Sequence, residues 1–70
     1  MNNMYKVIAR SHSTGFIART VTTLDKAIEI VDEVLEGIDS ETLHDLKDAM
    51  TNEGTWYEAF GSRSVNVFKI

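Results

Sequence analysis

The chain has no cysteine and no proline, and only four of its 70 residues are glycine. Without a thiol there can be no disulfide, thiolate metal site, iron–sulfur cluster or cysteine nucleophile, so packing and hydrogen bonds must hold the fold. No stretch approaches the ~20 apolar residues of a membrane-spanning helix. The start Met1-Asn2-Asn3-Met4-Tyr5-Lys6 lacks the basic residues and apolar run of a secretion signal. By elimination the expected location is cytoplasmic, with no membrane partner. An excess of basic charge is missing too. The net charge is −4 and the sequence pI about 4.9, which repels phosphate backbones at long range and makes a basic protein a better expected partner than nucleic acid itself.

What is there suits one small folded domain over residues 1–70. Hydrophobic residues make up 43% and charged residues 26%, close to globular averages and far from the composition of a disordered tail. Size scaling gives about 11,500 Å² of surface for the unfolded chain and about 4,400 Å² for a compact one, enough for a marginal core. The charges are sorted along the chain. Residues 1–23 carry Lys6, Arg10 and Arg19 with no acid, whereas residues 24–53 carry ten acids against Lys26 and Lys47.

Secondary-structure signals divide at the same places. Tyr5 to Arg10 and Phe16 to Thr22 read as strands around the turn-forming run Ser11-His12-Ser13-Thr14-Gly15. Thr55 to Phe60 and Ser64 to Ile70 form a second such pair around Gly61-Ser62-Arg63. In the last strand Val65 and Val67 point one way, Phe68 and Ile70 the other, which predicts a bulge or two covered faces. Between the hairpins, Leu24, Ala27, Ile28, Val31, Val34, Leu35 and Ile38 follow helical spacing without a miss. Thr22 or Thr23 is the expected N-cap of this helix, and Gly37 the expected left-handed stop. Asp39 or Ser40 then caps a second helix bearing Leu43, Leu46 and Met50 on one face and ending at Asn52-Glu53-Gly54. The expected fold is therefore α+β, in the order ββααββ, with an antiparallel sheet of two hairpins covered on one face by two helices. Strand order is left open.

The feature that asks for more than folding is acidic. At about 100° per residue, Asp25, Glu29, Asp32 and Glu36 fall in one strip opposite the apolar arc of the first helix, with Glu33 beside it. Glu41, Asp45 and Asp48 repeat the pattern on the second helix. A solvated, solubilising face is the plain explanation. Against it stands a cost of roughly 0.2–0.5 kcal/mol for each like-charge pair at these spacings. These eight residues are the candidate partner-binding set. As a DNA mimic they would be partial, because duplex DNA carries a charge every ~1.7 Å of axis and one helix repeats its carboxylates about every 5–6 Å.

Other constellations carry less. His12 and His44 do not approach zinc or di-metal spacing, so neither a metal nor a cofactor is expected, and His44 is expected to pair with Asp48 one turn on. Ser11-His12-Ser13 suggests a nucleophile and base, but neighbours in a turn rarely aim at each other and no oxyanion donor accompanies them. No catalytic residue is assigned and no enzyme is expected. Ser13-Thr14-Gly15 and Gly61-Ser62-Arg63-Ser64 are explained by turn chemistry. Tyr5, Phe16, Trp56, Tyr57, Phe60 and Phe68 could stack bases beside Arg10, Arg19 and Arg63. In so small a chain, however, most of these rings are expected inside.

The leading expectation is thus a non-enzymatic protein that docks, and inhibits, a basic nucleic-acid-handling protein through its acidic helices. In size and acidity it has the general character of small bacteriophage-encoded, host-directed inhibitors, a likeness that no motif supports. The alternatives are a nucleic-acid-binding module using sheet aromatics and basic hairpin tips, or a self-assembling subunit. A homodimer is expected through unpaired strand edges, with the last strand, Ser64 to Ile70, the favoured edge or face to be covered.

Overall fold

Two hairpins and two helices form where the local signals place them. In the computed structural model, which describes residues 4–12 and 15–70, the order is β1 (Tyr5–Ser11), β2 (Gly15–Val21), α1 (Leu24–Val34), α2 (Ser40–Asn52), β3 (Thr55–Phe60) and β4 (Arg63–Lys69). The strands form one antiparallel sheet in the order β2-β1-β4-β3. β1 and β4 therefore meet at the centre, with Tyr5 opposite Lys69 and Arg10 opposite Ser64. Two expectations for the last strand fail here. β4 is internal rather than an edge, and its pairing runs without a bulge on both sides. The edges are β2 and β3.

Alternation along the strands decides what the helices cover. Val7 and Ala9 of β1, Val65 and Val67 of β4 and Trp56 of β3 turn to one side and are buried with Ala27, Val31 and Val34 of α1 and Leu46 and Met50 of α2. α1 lies chiefly over β1 and α2 over β3, both reaching β4. Two covered faces, the alternative to a bulge, are not found either: β4 has one face under the helices and one open. Full burial of each large aliphatic side chain here contributes roughly 1.5–3 kcal/mol.

The helix ends show what stops each segment. Thr23 caps α1 and accepts the Lys26 N–H at 3.2 Å; Asp39 caps α2 and accepts the Thr42 N–H at 2.8 Å. α1 stops at Val34, so Leu35 and Ile38 lie beyond it, in contrast to the longer helix that their spacing predicts. The left-handed residue just past the cap is Glu36, at φ 57°. Gly37, expected in that role, follows it at φ 109°. The Gly37 N–H donates to the Asp32 carbonyl at 2.8 Å and the Glu36 N–H to the Glu33 carbonyl at 3.3 Å, the bond pair of a Schellman stop. A side chain in this conformation costs roughly 1–2 kcal/mol. The Glu36 carboxylate pairs with Arg63 at the start of β4, and Arg63 Nη1 also donates to the Leu35 carbonyl at 3.5 Å. This ion pair ties the end of α1 to the tip of the β3–β4 hairpin.

Candidate functional site

Both helices lie on one side, so the residues that alternate with the core form a face that no element among the described residues covers. The strand register arranges them in three rows across β2, β1, β4 and β3. The first is Thr20, Lys6, Phe68 and Thr55; the second Ala18, Ile8, Asn66 and Tyr57; the third Phe16, Arg10, Ser64 and Ala59. Two are cations and none is a carboxylate. Every acid of the flanking segments is absent from this surface, since Glu58 of β3 stands opposite Val65 and faces the helices.

The rings are where sequence reasoning erred. Trp56 is buried, but Phe16 is 64% exposed and Tyr57 62%, while Phe68 is half-buried beside Lys6. Most aromatic side chains are thus outside the core expected to need them. The interior is built largely from small and β-branched residues instead: Ala9, Ala27, the valines and Leu46 are buried in it. A strand pattern with apolar residues at both parities cannot by itself say which set the helices will cover.

At the centre of the open face the side-chain carbonyl Oδ1 of Asn66 is buried and has no hydrogen-bond partner. Its neighbours in the row are Ile8 and Tyr57. An unpaired buried acceptor costs about 1–3 kcal/mol. A valine would fit this central strand position without that cost.

On the opposite side of the molecule all eight candidate carboxylates, Asp25, Glu29, Asp32, Glu33, Glu36, Glu41, Asp45 and Asp48, are exposed. They do not form the continuous ridges that helical spacing suggests. Glu36 lies beyond α1 and pairs with Arg63. The Asp32 carboxylate accepts the Ile38 N–H at 3.0 Å and so holds the turn between the helices. Asp48 accepts from Asn52 Nδ2 at 3.2 Å, the partner expected for it having been His44. Three of the eight therefore serve the chain's own folding.

A third feature is a cleft of about 190 Å³ where the α1–α2 turn meets the β3–β4 hairpin, lined by Leu35, Gly37, Ile38, Asp39, Thr42, Phe60 and Arg63. Its one cation is engaged by Glu36. Asp39 stands at its rim with a carboxyl held below the usual aspartate range by Thr42, whose hydroxyl is the larger cause and whose backbone N–H adds to it. Among the described residues no group of three or more histidines and acids could hold a metal ion, and no helix is long and apolar enough to cross a membrane. His12 is exposed beside the buried Ser11. Ser13 and Thr14, which complete the suspected serine–histidine triplet and the first hairpin tip, lie outside the described residues. Comparison with protein-family models, with curated proteins and with solved structures finds no match to this chain. The chemistry of the two faces is what remains to read a function from.

Proposed function

We propose that the chain is a non-enzymatic binding protein that meets its partner with the open face of the sheet. The observation that carries this reading is the make-up of that face: exposed Phe16 and Tyr57 with Lys6 and Arg10, and no carboxylate, in a chain of net charge −4. Solubility accounts for exposed acids. It does not account for large rings set in water beside cations, a combination that marks contact surfaces. The helix layer in this reading keeps the protein soluble and directs anionic partners to the far side.

A second reading retains the acidic helices as the dock for a basic, nucleic-acid-handling protein, whether as an inhibitor or as a partial mimic of DNA. Asp25, Glu29, Glu33, Glu41 and Asp45 support it, being exposed and in no ion pair among the described residues. Self-association belongs to the free edges β2 and β3. Face-to-face pairing of two open faces would instead bring Lys6 and Arg10 against their own copies, with no carboxylate between them.

Two variants separate the readings. Phe16→Ala with Tyr57→Ala strips the open face, and Asp25→Lys, Glu29→Lys and Glu33→Lys together reverse the free carboxylates of α1 while leaving Asp32 and Glu36 at their structural tasks. Material retained from a cell lysate by the immobilised wild type is expected to be lost with the first variant and kept with the second. The opposite pattern would assign the function to the helices.

A further inference from the structure

Resting on the open face as the working surface, we infer that its ligand is single-stranded nucleic acid, bound by stacking on Phe16, Phe68 and Tyr57 and by phosphate contacts to Lys6 and Arg10. The face matches the ligand group by group. Rings give sequence-tolerant platforms for bases, cations track the backbone, and the uncovered face of a four-stranded sheet is an established geometry for such stacking. The unpaired Oδ1 of Asn66 lies among them, at the centre.

Geometry selects single strands over duplex. Four strands at about 4.8 Å spacing make a surface at least ~14 Å wide before side chains are added. That is too broad for a minor groove of about 6 Å or a major groove of about 12 Å. Phe68 and Tyr57 lie one strand and one row apart, hence about 8 Å between their attachment points. Stacked bases in a duplex are ~3.4 Å apart. The two rings therefore suit neighbouring bases that have been splayed, a state open to a single strand.

Net charge does not forbid this. The molecule measures 16 Å even along its shortest axis, and the helix carboxylates stand on the far side of it. Their repulsion at the open face is largely screened at physiological salt, where the Debye length is about 8 Å. A second copy of the chain is a poorer occupant, since its open face has the same charge sign.

The test is fluorescence anisotropy with labelled oligouridylate and oligothymidylate of about 12 nucleotides, and with a duplex of the same length. Either single strand is expected to bind in preference to the duplex, and a difference between the two sugars would identify the natural one. With two cations engaged, log affinity should fall with log salt at a slope of about −1.4. Tyr57→Ala or Phe16→Ala should each weaken binding about five- to a hundred-fold. Tyr57→Phe keeps the ring and should keep the affinity, while the circular dichroism of the alanine variants should match that of the wild type. Equal or tighter binding of duplex, absence of binding to both single strands, or full affinity in the folded alanine variants would each overturn the assignment. Should the oligonucleotides fail while lysate capture still depends on Phe16 and Tyr57, the ligand assignment falls and the open-face reading stands. If capture tracks Asp25, Glu29 and Glu33, both fall.

Discussion

The same four strands present two unlike surfaces, one residue apart along the chain. Val7 and Ala9 are dry beneath α1, while Lys6, Ile8 and Arg10, which alternate with them, look outward. The covered side uses small and β-branched residues that let helices approach. The open side carries Phe16, Tyr57 and Phe68, while the helices bury a single ring, Trp56, and Tyr5 packs against the core from β1. The comparison teaches that large aromatics in a minimal domain need not be core residues when alanine and valine can build the interior.

The sharpest way to break this comparison is to remove the same kind of atoms from each side. Leu46→Ala empties a fully buried position and should cost about 2–5 kcal/mol, enough to unfold much of so small a domain. Ile8→Ala on the open face should cost less than about 1 kcal/mol, both read from urea unfolding. Similar losses at the two sites would mean that the open face is packed in solution, for instance by another copy.

A smaller effect of opposite sign is expected at Asn66. Asn66→Val removes the unpaired acceptor and should stabilise the protein by about 1 kcal/mol, a rise of about 4–8 °C in melting temperature. Affinity at the open face should be kept, since an acceptor closed to solvent is closed to a docked ligand as well. A stabilised variant that binds less well would show that the Asn66 side chain turns outward in recognition.

The smallest effect is confined to the helix layer. Bonds from Thr42 hold the Asp39 carboxyl below its ordinary value, so its charged form favours the folded state. That stabilisation is fully present above the unfolded aspartate value near ~4 and disappears as pH falls through the lower folded one. Asp39→Ala should therefore melt below wild type at pH 7, with the gap closing in acid. Binding at the open face should be the same for both proteins at pH 7.

Much of the architecture was legible because its causes are local. Leu24, Ala27 and Val31 mark a helix face by spacing, Thr23 and Asp39 are good caps, and the Gly61-Ser62 dipeptide, with Gly61 at φ 59°, suits a two-residue hairpin turn. Strand order was not legible, because pairing β1 with β4 depends on residues at opposite ends of the sequence. Nor was the end of α1. Leu35 and Ile38 continue a helical pattern by spacing, yet they belong to the turn, and Glu36 adopts a conformation whose support comes from Arg63 on a distant strand. The carboxylate set was legible as exposed residues, but the bonds of Asp32 and Asp48 to the chain itself appear only when the turn and the helix end are seen. The open face could have been suspected from its missing acids: residues 1–23 contain none, and half the sheet comes from them.

The position of β1 beside β4 also governs the order in which the molecule can be made. Each hairpin closes over a short loop and can form early, but the seam between them joins the first strand to the last. Ile70 donates its N–H to the Met4 carbonyl at 2.8 Å, so the seam cannot be completed until residue 70 has left the ribosome. Until then α1 has only half a floor to rest on, and the edges of both hairpins that later become interior are exposed to other chains. High sequence separation of this kind slows closure.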